Sequence, residues 1–405
     1  MSTYLIPIET AILTFPIIAA IMTIPYILVQ YRKYGSILPL RVAIVYSFVF
    51  YLLVAYFLVI LPLPPIEEVA QYTSPTTQLI PFECIREFSM SSSLVLQDSS
   101  TYLKALNEPS LFLILFNILL TVPFGMYLRY YFACSWKKTL LFSFLLSLSF
   151  ECIQLSALFG IYPRPYRLFD VDDLINNTLG GGLGYMLTPL ISWFLPSRST
   201  LDETSMLKGR QVSSLRRICA FFIDFIIVAL ASAITLFIGY IMNFIDASSI
   251  STNILYIYAT FTVLFIIIFS IIFKGKTLGK ALVKIRLVSG ESTLLKWYQH
   301  IIHYVVLYLC ILPMPYIIFL NLLDYFDITT SSFSISILLI ALMIVFYIVS
   351  LVQCVRSLFV KEHYAWYDKH WKLHNISTIP YEETDDNVEI EGVHDGCIKK
   401  TNPNT

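Results

Sequence analysis

Long apolar runs, broken by short polar clusters, recur from one end of the chain to the other. About 20 apolar residues span roughly 30 Å of hydrocarbon as a helix. About nine stretches reach that length: 4–31, 42–63, 111–131, 139–160, 174–195, 218–242, 255–273, 301–323 and 334–355. The pattern predicts an all-α, polytopic helical membrane protein. No basic segment precedes the first run, and it is too long for a signal-peptide core, so it reads as a retained span. The polar stretch 196–213 lacks apolar periodicity and divides the spans five and four. It is expected to be a cytoplasmic linker between a membrane module at 1–195 and another at 214–378. Residues 379–405 turn acidic, with Glu382, Glu383, Asp385, Asp386, Glu389 and Glu391 close together. Such a tail buries too little apolar surface to order itself.

One segment follows a different period. Around 283–288 apolar and polar residues alternate by two, and Ser289-Gly290 gives a turn signal. This predicts a short amphipathic hairpin on the cytoplasmic surface.

Composition agrees with the spans. Hydrophobic residues make up 57% and charged residues 13% of the 405 residues, with a mean hydropathy of +0.73. Those values exclude a soluble enzyme, a disordered chain and a nucleic-acid binder. Basic and acidic residues balance at 27 each, so only their distribution is informative. Lys and Arg resist translocation. With the amino terminus outside, inner segments hold 23 of the 27 basic residues, leaving Arg86, Lys104, Arg164 and Arg167 outside. The carboxyl terminus then lies in the cytoplasm. Of seven cysteines only Cys84 falls in an outer loop, so no disulfide is available there. No metal or cofactor is expected. His363, His370 and His374 lie near Trp366, Tyr367 and Trp371, which favours interfacial anchoring over a metal site.

Ionisable groups inside spans are costly and mark candidate sites. In the fourth run Ser143, Ser147, Glu151 and Gln154 recur at steps of four, four and three, forming one polar stripe. At 1.5 Å per residue, Glu151 lies roughly 13 Å and Asn117 roughly 9 Å below the outer surface, so the two are able to meet. Pro123 and Gly125 follow in the third run, where Pro123 is expected to bend the helix and free carbonyls. The outer loop YPRPYRLFDVDDLINN brings Arg164, Arg167, Asp170, Asp172, Asp173, Asn176 and Asn177 to the mouth of the same bundle. Gly180, Gly181 and Gly184 open the fifth run with spacing for close helix contact. Two readings stand: a structural polar network, or a pocket whose arginines hold an anionic group. At the inner side Arg217 and Asp224 are seven residues apart, two turns, and are expected to pair across one helix face.

At these residues the first module resembles the VanZ-like family. LIPF (79–82), NILLTVPFG (117–125), FECIQ (150–154) and RLFDVDDLINNTLGGGLGY (167–185) carry the resemblance over most of 40–195. Gln78 stands where that family often has an asparagine. The resemblance implies a bacterial cytoplasmic-membrane protein connected with glycopeptide resistance of the teicoplanin type, without an agreed chemistry. The second module resembles the RDD family over about 214–378. Arg217, Ala220 and Asp224, then GKTLGKALVKIRLV, and finally Asp368 in YDKH carry that match. It departs at Gln299 and His300, where an arginine is usual, and lacks the glycine–threonine after the last Asp. Transport is the role often suggested for that family.

Three function classes follow. A non-enzymatic envelope protein would bind or shield a wall-precursor lipid or a glycopeptide at the outer leaflet. A transporter of ions or small solutes would use Asp224 and Glu151. An intramembrane enzyme would act on lipid-linked precursors, but no nucleophile–base pair or phosphate-cradling glycine loop accompanies the carboxylates. Transport usually shows matched repeats, and none is evident. The expectation is therefore the first class, with the bilayer as partner and no nucleic acid.

Overall fold

A computed structural model describes residues 2–92, 101, 108–246, 249–290, 293–327, 333–359 and 367–379. The chain is helical over most of every apolar run that predicts a span. In order these helices are α1 (Ser2–Tyr34), α2 (Pro39–Ile60), α3 (Glu83–Ser91), α4 (Pro109–Tyr130), α5 (Trp136–Leu155) and α6 (Val171–Ser192). After α7 (Arg198–Arg210) come α8 (Ser214–Ile241) and α9 (Ile250–Thr262), the latter running on through a π-helical turn to Ile272. The short α10 (Leu278–Leu282) precedes α11 (Trp297–Tyr304), α12 (Met314–Asp327) and α13 (Phe333–Phe359).

Among the described residues seven helices are long and apolar enough to cross a membrane, against the nine runs read from sequence. The other two runs fall on α6, diluted by aspartates, asparagines and glycines, and on α13, of which Leu339–Gln353 is an apolar stretch among the described residues. Large side chains such as Ile17, Leu119, Leu190 and Val345 are more than half exposed on these helices. In water they would be a liability; against lipid they cost nothing.

Among the described residues, α4 and α6 make the most extensive helix–helix contact. A Cβ on Gly184 would stand 2.0 Å from the Val122 carbonyl oxygen, and one on Gly180 would stand 2.1 Å from that of Ile118. Gly125 meets Gly181 in the same way, at 1.9 Å from its carbonyl oxygen. The backbones touch because no side chain separates them. Helix α4 continues unbroken through Pro123, and the Tyr51 hydroxyl donates to the Leu120 carbonyl at 2.7 Å. Sequence placed the fourth span to residue 160. The helix instead ends at Leu155, and Ala157, Leu158 and Phe159 take left-handed φ values near 55°. Burial of Ala157 and Leu158 with Val69 and Tyr162 holds that turn in place.

Two segments differ in local structure from what the sequence predicts. Residues 198–210, expected within a linker, form α7. Ser197 caps it by accepting from the Thr200 N–H, Leu201 is buried, and Arg41 pairs with Asp202 at 2.5 Å. Its apolar contacts are few, which is why periodicity did not reveal it. The predicted hairpin has its turn, a bridge between Ser289 and Thr293. Its strand β3 (Ile285–Val288), however, pairs antiparallel with β4 (His374–Ser377), with Ile285 opposite Ser377. Ile285, Leu287 and Val288 are buried, so the strand is core rather than a surface ribbon. Residues 380–405, the expected acidic tail, lie outside the described residues.

The two halves share a core. Tyr31, with Ile27 and Leu28 of α1, packs against Ala220, Val283 and Ile285.

Candidate functional site

Helices α2, α4, α5 and α6 enclose a cavity of about 540 Å³, with α3 and the 161–170 loop at its rim. The α5 stripe is confirmed: Ser143, Ser147, Glu151 and Gln154 are all buried. Ser143 and Ser147 face α6. Ser147 donates to the Asp173 carbonyl at 3.2 Å and accepts from Asn177 Nδ2 at 3.1 Å. Glu151 and Gln154 line the cavity, joined by Asn117, Arg167, Asp170, Asp173, Asn176 and Asn177. Polar groups from three separated segments therefore do converge.

Their pairing differs from the expected one. Asn117 does not meet Glu151; its amide donates to Asp173 instead. Glu151 Oε2 accepts from the Asp170 backbone N–H at 2.9 Å. Asp170 caps α6 by accepting from the Asp172 N–H at 2.8 Å. The loop arrives there through a two-residue parallel pairing of β1 (Thr77–Gln78) with β2 (Phe169–Asp170). Gln78, the departure from the family pattern, still reaches Asp170 Oδ1 at 3.4 Å.

Several predicted residues serve the frame rather than the cavity. Asp172 accepts from the N–H groups of Phe82 and Cys84 at 2.6 and 2.7 Å and so fastens the start of α3 to α6. Arg164 turns away and donates to the carbonyls of Tyr72 and Ser74. Gly125, Gly180 and Gly181 belong to the α4–α6 contact, Pro123 lies within α4, and none of the four lines the cavity. This overturns the idea of two arginines gripping an anion. Among the described lining residues one guanidinium, Arg167, shares the cavity with four carboxylates, those of Glu87, Glu151, Asp170 and Asp173. Outside the spans, burial raises Asp170 above the ordinary carboxylate value, and the carboxylates of Asp172 and Glu87 add to the rise. Burial, then the Asp172 carboxylate, pushes the Cys84 thiol up to about 11.

A second cavity, about 500 Å³ and mostly apolar, is lined by all three residues expected at the inner leaflet, Arg217, Asp224 and Asp368. The Arg217–Asp224 pair is not formed. Asp224 accepts from the Thr277 hydroxyl at 2.5 Å and the Gly279 N–H at 2.7 Å, while Arg217 donates to Ser214 Oγ. Two turns of helix leave the pair on one face, but the 277–280 segment wedges closer. Gly279 permits this, since a Cβ there would stand 2.1 Å from the Ala220 carbonyl oxygen. The fully buried guanidinium is Arg216, donating to the carbonyls of Gly209, Val283 and Lys284 at 2.7–2.8 Å. Asp368 contacts His303 Nδ1 at 2.7 Å, and Lys280 Nζ donates to the Tyr304 hydroxyl at 2.9 Å. His303 and Lys280 were missed in sequence. His300 and His303 stand one turn apart at the start of an apolar run, a signal that would have found the first. His300, at the family's usual arginine position, meets Ser270 Oγ at 2.9 Å.

Comparison with known proteins agrees with both resemblances. The VanZ/LLP1 family model matches residues 48–192, and the RDD family model matches residues 212–370. No curated protein and no solved structure matches the chain. Helix α1 lies outside both matched stretches.

Proposed function

We propose that this chain, which carries a VanZ-like domain followed by an RDD domain, contributes to glycopeptide resistance of the teicoplanin type through its outer cavity. The role is non-enzymatic: the cavity binds or shields a group of a wall-precursor lipid or of the drug at the outer leaflet. In this reading the protein crosses the bacterial cytoplasmic membrane nine times, α6 and α13 joining the seven apolar helices, in a five-plus-four arrangement. The amino terminus is outside and the carboxyl terminus cytoplasmic, as the 23 of 27 basic residues at inner positions support. The observation that carries the functional reading is the convergence of Asn117, Glu151, Asp170 and Asp173 on one cavity. A purely structural network would close on itself, whereas this one surrounds about 540 Å³ of space.

Orientation and function are checked separately. A thiol reagent that cannot cross the membrane should label a single cysteine placed in the 64–110 loop and spare one placed in 274–300. The reverse pattern refutes the orientation. Cells expressing the gene should tolerate several-fold more teicoplanin than cells without it, at unchanged sensitivity to ribosome-targeting drugs. The inner cavity, with Asp224, Lys280 and the His303–Asp368 contact, favours a second reading, transport of ions or small solutes. A general change in salt or solute sensitivity, with no teicoplanin effect, would select it.

A further inference from the structure

The hydrogen-bond balance of the outer cavity says what kind of group fits it. Three of the four amides there turn their N–H₂ groups into the protein's own oxygens. Asn117 donates to Asp173, Gln154 to the Val59 carbonyl at 3.2 Å, and Asn177 to Ser147 Oγ at 3.1 Å. These orientations are forced. Flipping Asn117 or Gln154 would set oxygen against oxygen, and Ser147 has already committed its proton to the Asp173 carbonyl. Asn176 directs its amide nitrogen to Cys84 Sγ at 3.9 Å.

Apart from the unpartnered Ser110 hydroxyl, which can donate or accept, what remains is acceptors. Asn177 Oδ1 is buried with no partner, on a side chain only 3% exposed that lines the cavity. Glu151, 2% exposed, uses Oε2 on Asp170 and leaves Oε1 without a hydrogen bond among the described residues. Gln154 Oε1 and Asn117 Oδ1 are likewise unused. Asn177 Oδ1 is the buried acceptor without a donor, and the other three belong to side chains that line the same space. A ligand able to satisfy them brings donors, and among the described lining residues four carboxylates against one guanidinium favour a positive charge. No group of three His, Cys, Asp or Glu side chains among the described residues is close enough to hold a metal ion. The volume also suits an organic group.

We propose that the outer cavity recognises a protonated primary amine, its N–H groups donating to Glu151 Oε1 and the neighbouring amide oxygens. This deepens the outer-cavity reading and rests on it. The ammonium can come from a lipid headgroup or from an amine-bearing soluble molecule, and the chemistry at the cavity is the same.

The test uses the full chain in phosphatidylcholine nanodiscs, which offer no primary amine. Glucosamine, at a pH where its amine is protonated, is titrated beside N-acetylglucosamine, which keeps the ring and loses the charge. In a second arm, phosphatidylethanolamine and phosphatidylglycerol compete for retention in native mass spectrometry. The amine is expected to bind at least tenfold more tightly than its acetylated form in the first arm, or the ethanolamine lipid to be retained selectively in the second. Either result supports the proposal and identifies the source. Glu151→Gln should reduce that binding about tenfold or more, whereas Arg167→Gln, removing the competing cation, should strengthen it. A gain of affinity cannot come from misfolding. Equal binding of amine and amide with no lipid selectivity, or preference for the anionic lipid, overturns it. Amine binding in nanodiscs without drug protection in cells would refute the functional reading alone. Protection without amine selectivity would refute this inference alone.

Discussion

Gly184→Leu should leave almost no folded protein in the membrane. The glycine's Cβ position already stands 2.0 Å from the Val122 carbonyl oxygen and 3.1 Å from the Met126 nitrogen. Both neighbours are backbone, so neither can swing aside. Even Gly184→Ala must push α4 from α6 by about an ångström, and overpacking of that kind costs about 1–3 kcal/mol. Leucine would separate the helices further and exceed about 4 kcal/mol, the range reached only when core packing fails. Separation would also undo the Thr121 hydroxyl's bond to the Asn177 carbonyl at 2.6 Å and the contact of Asn117 with Asp173. Gly182 provides the control. A Cβ there meets only the Trp136 ring and a Leu140 methyl, at 3.1 and 3.2 Å, and side chains can yield. Fluorescence-detected size-exclusion chromatography of detergent extracts should show Gly182→Ala as a near-normal monodisperse peak and Gly184→Leu as lost or aggregated. A normal peak for Gly184→Leu would refute the packing described for α4 and α6.

The outer half was legible because its signals are local. Steps of four and three along α5 put Ser143, Ser147, Glu151 and Gln154 on one face whatever the tertiary structure. Gly180 and Gly184 announced a close helix contact for the same reason. Which polar group bonds which was not legible. Depth arithmetic fixed Asn117 and Glu151 along the membrane normal but not around it, and a rotation of α4 gives Asn117 to Asp173. Arg164 and Asp172 looked like site residues because loop charges at a cavity mouth resemble ligand contacts. Both are used up by backbone groups, Arg164 on the carbonyls of Tyr72 and Ser74 and Asp172 on the N–H groups of Phe82 and Cys84.

The inner half depended on contacts distant in sequence. Of the adjacent arginines, Arg217 has the spacing that points to Asp224, yet Arg216 is the one that ties α8 to α7 and to the residues just before β3, through the carbonyls of Gly209, Val283 and Lys284. Nothing local separates the two; the direction of α8's burial does. Strand β3 could not reveal its partner either, because His374–Ser377 lies about 90 residues further on and pairing at that separation leaves no trace in periodicity.

Glu151 is where these lines meet. Its carboxylate is 2% exposed, lines the outer cavity and holds the Asp170 N–H, so it belongs both to the frame and to the proposed site. Glu151→Gln separates the two roles. The amide oxygen still accepts from Asp170, and the shape is kept, so folding should change little. What is lost is the charge, and an amide N–H₂ is added among oxygens that themselves seek donors. Ligand recognition should then fail through both electrostatics and hydrogen bonding. Teicoplanin susceptibility of cells carrying Glu151→Gln, compared with wild type at matched membrane abundance, is the direct measurement. The outer-cavity account predicts that the variant protects no better than cells lacking the gene; protection equal to wild type would contradict it.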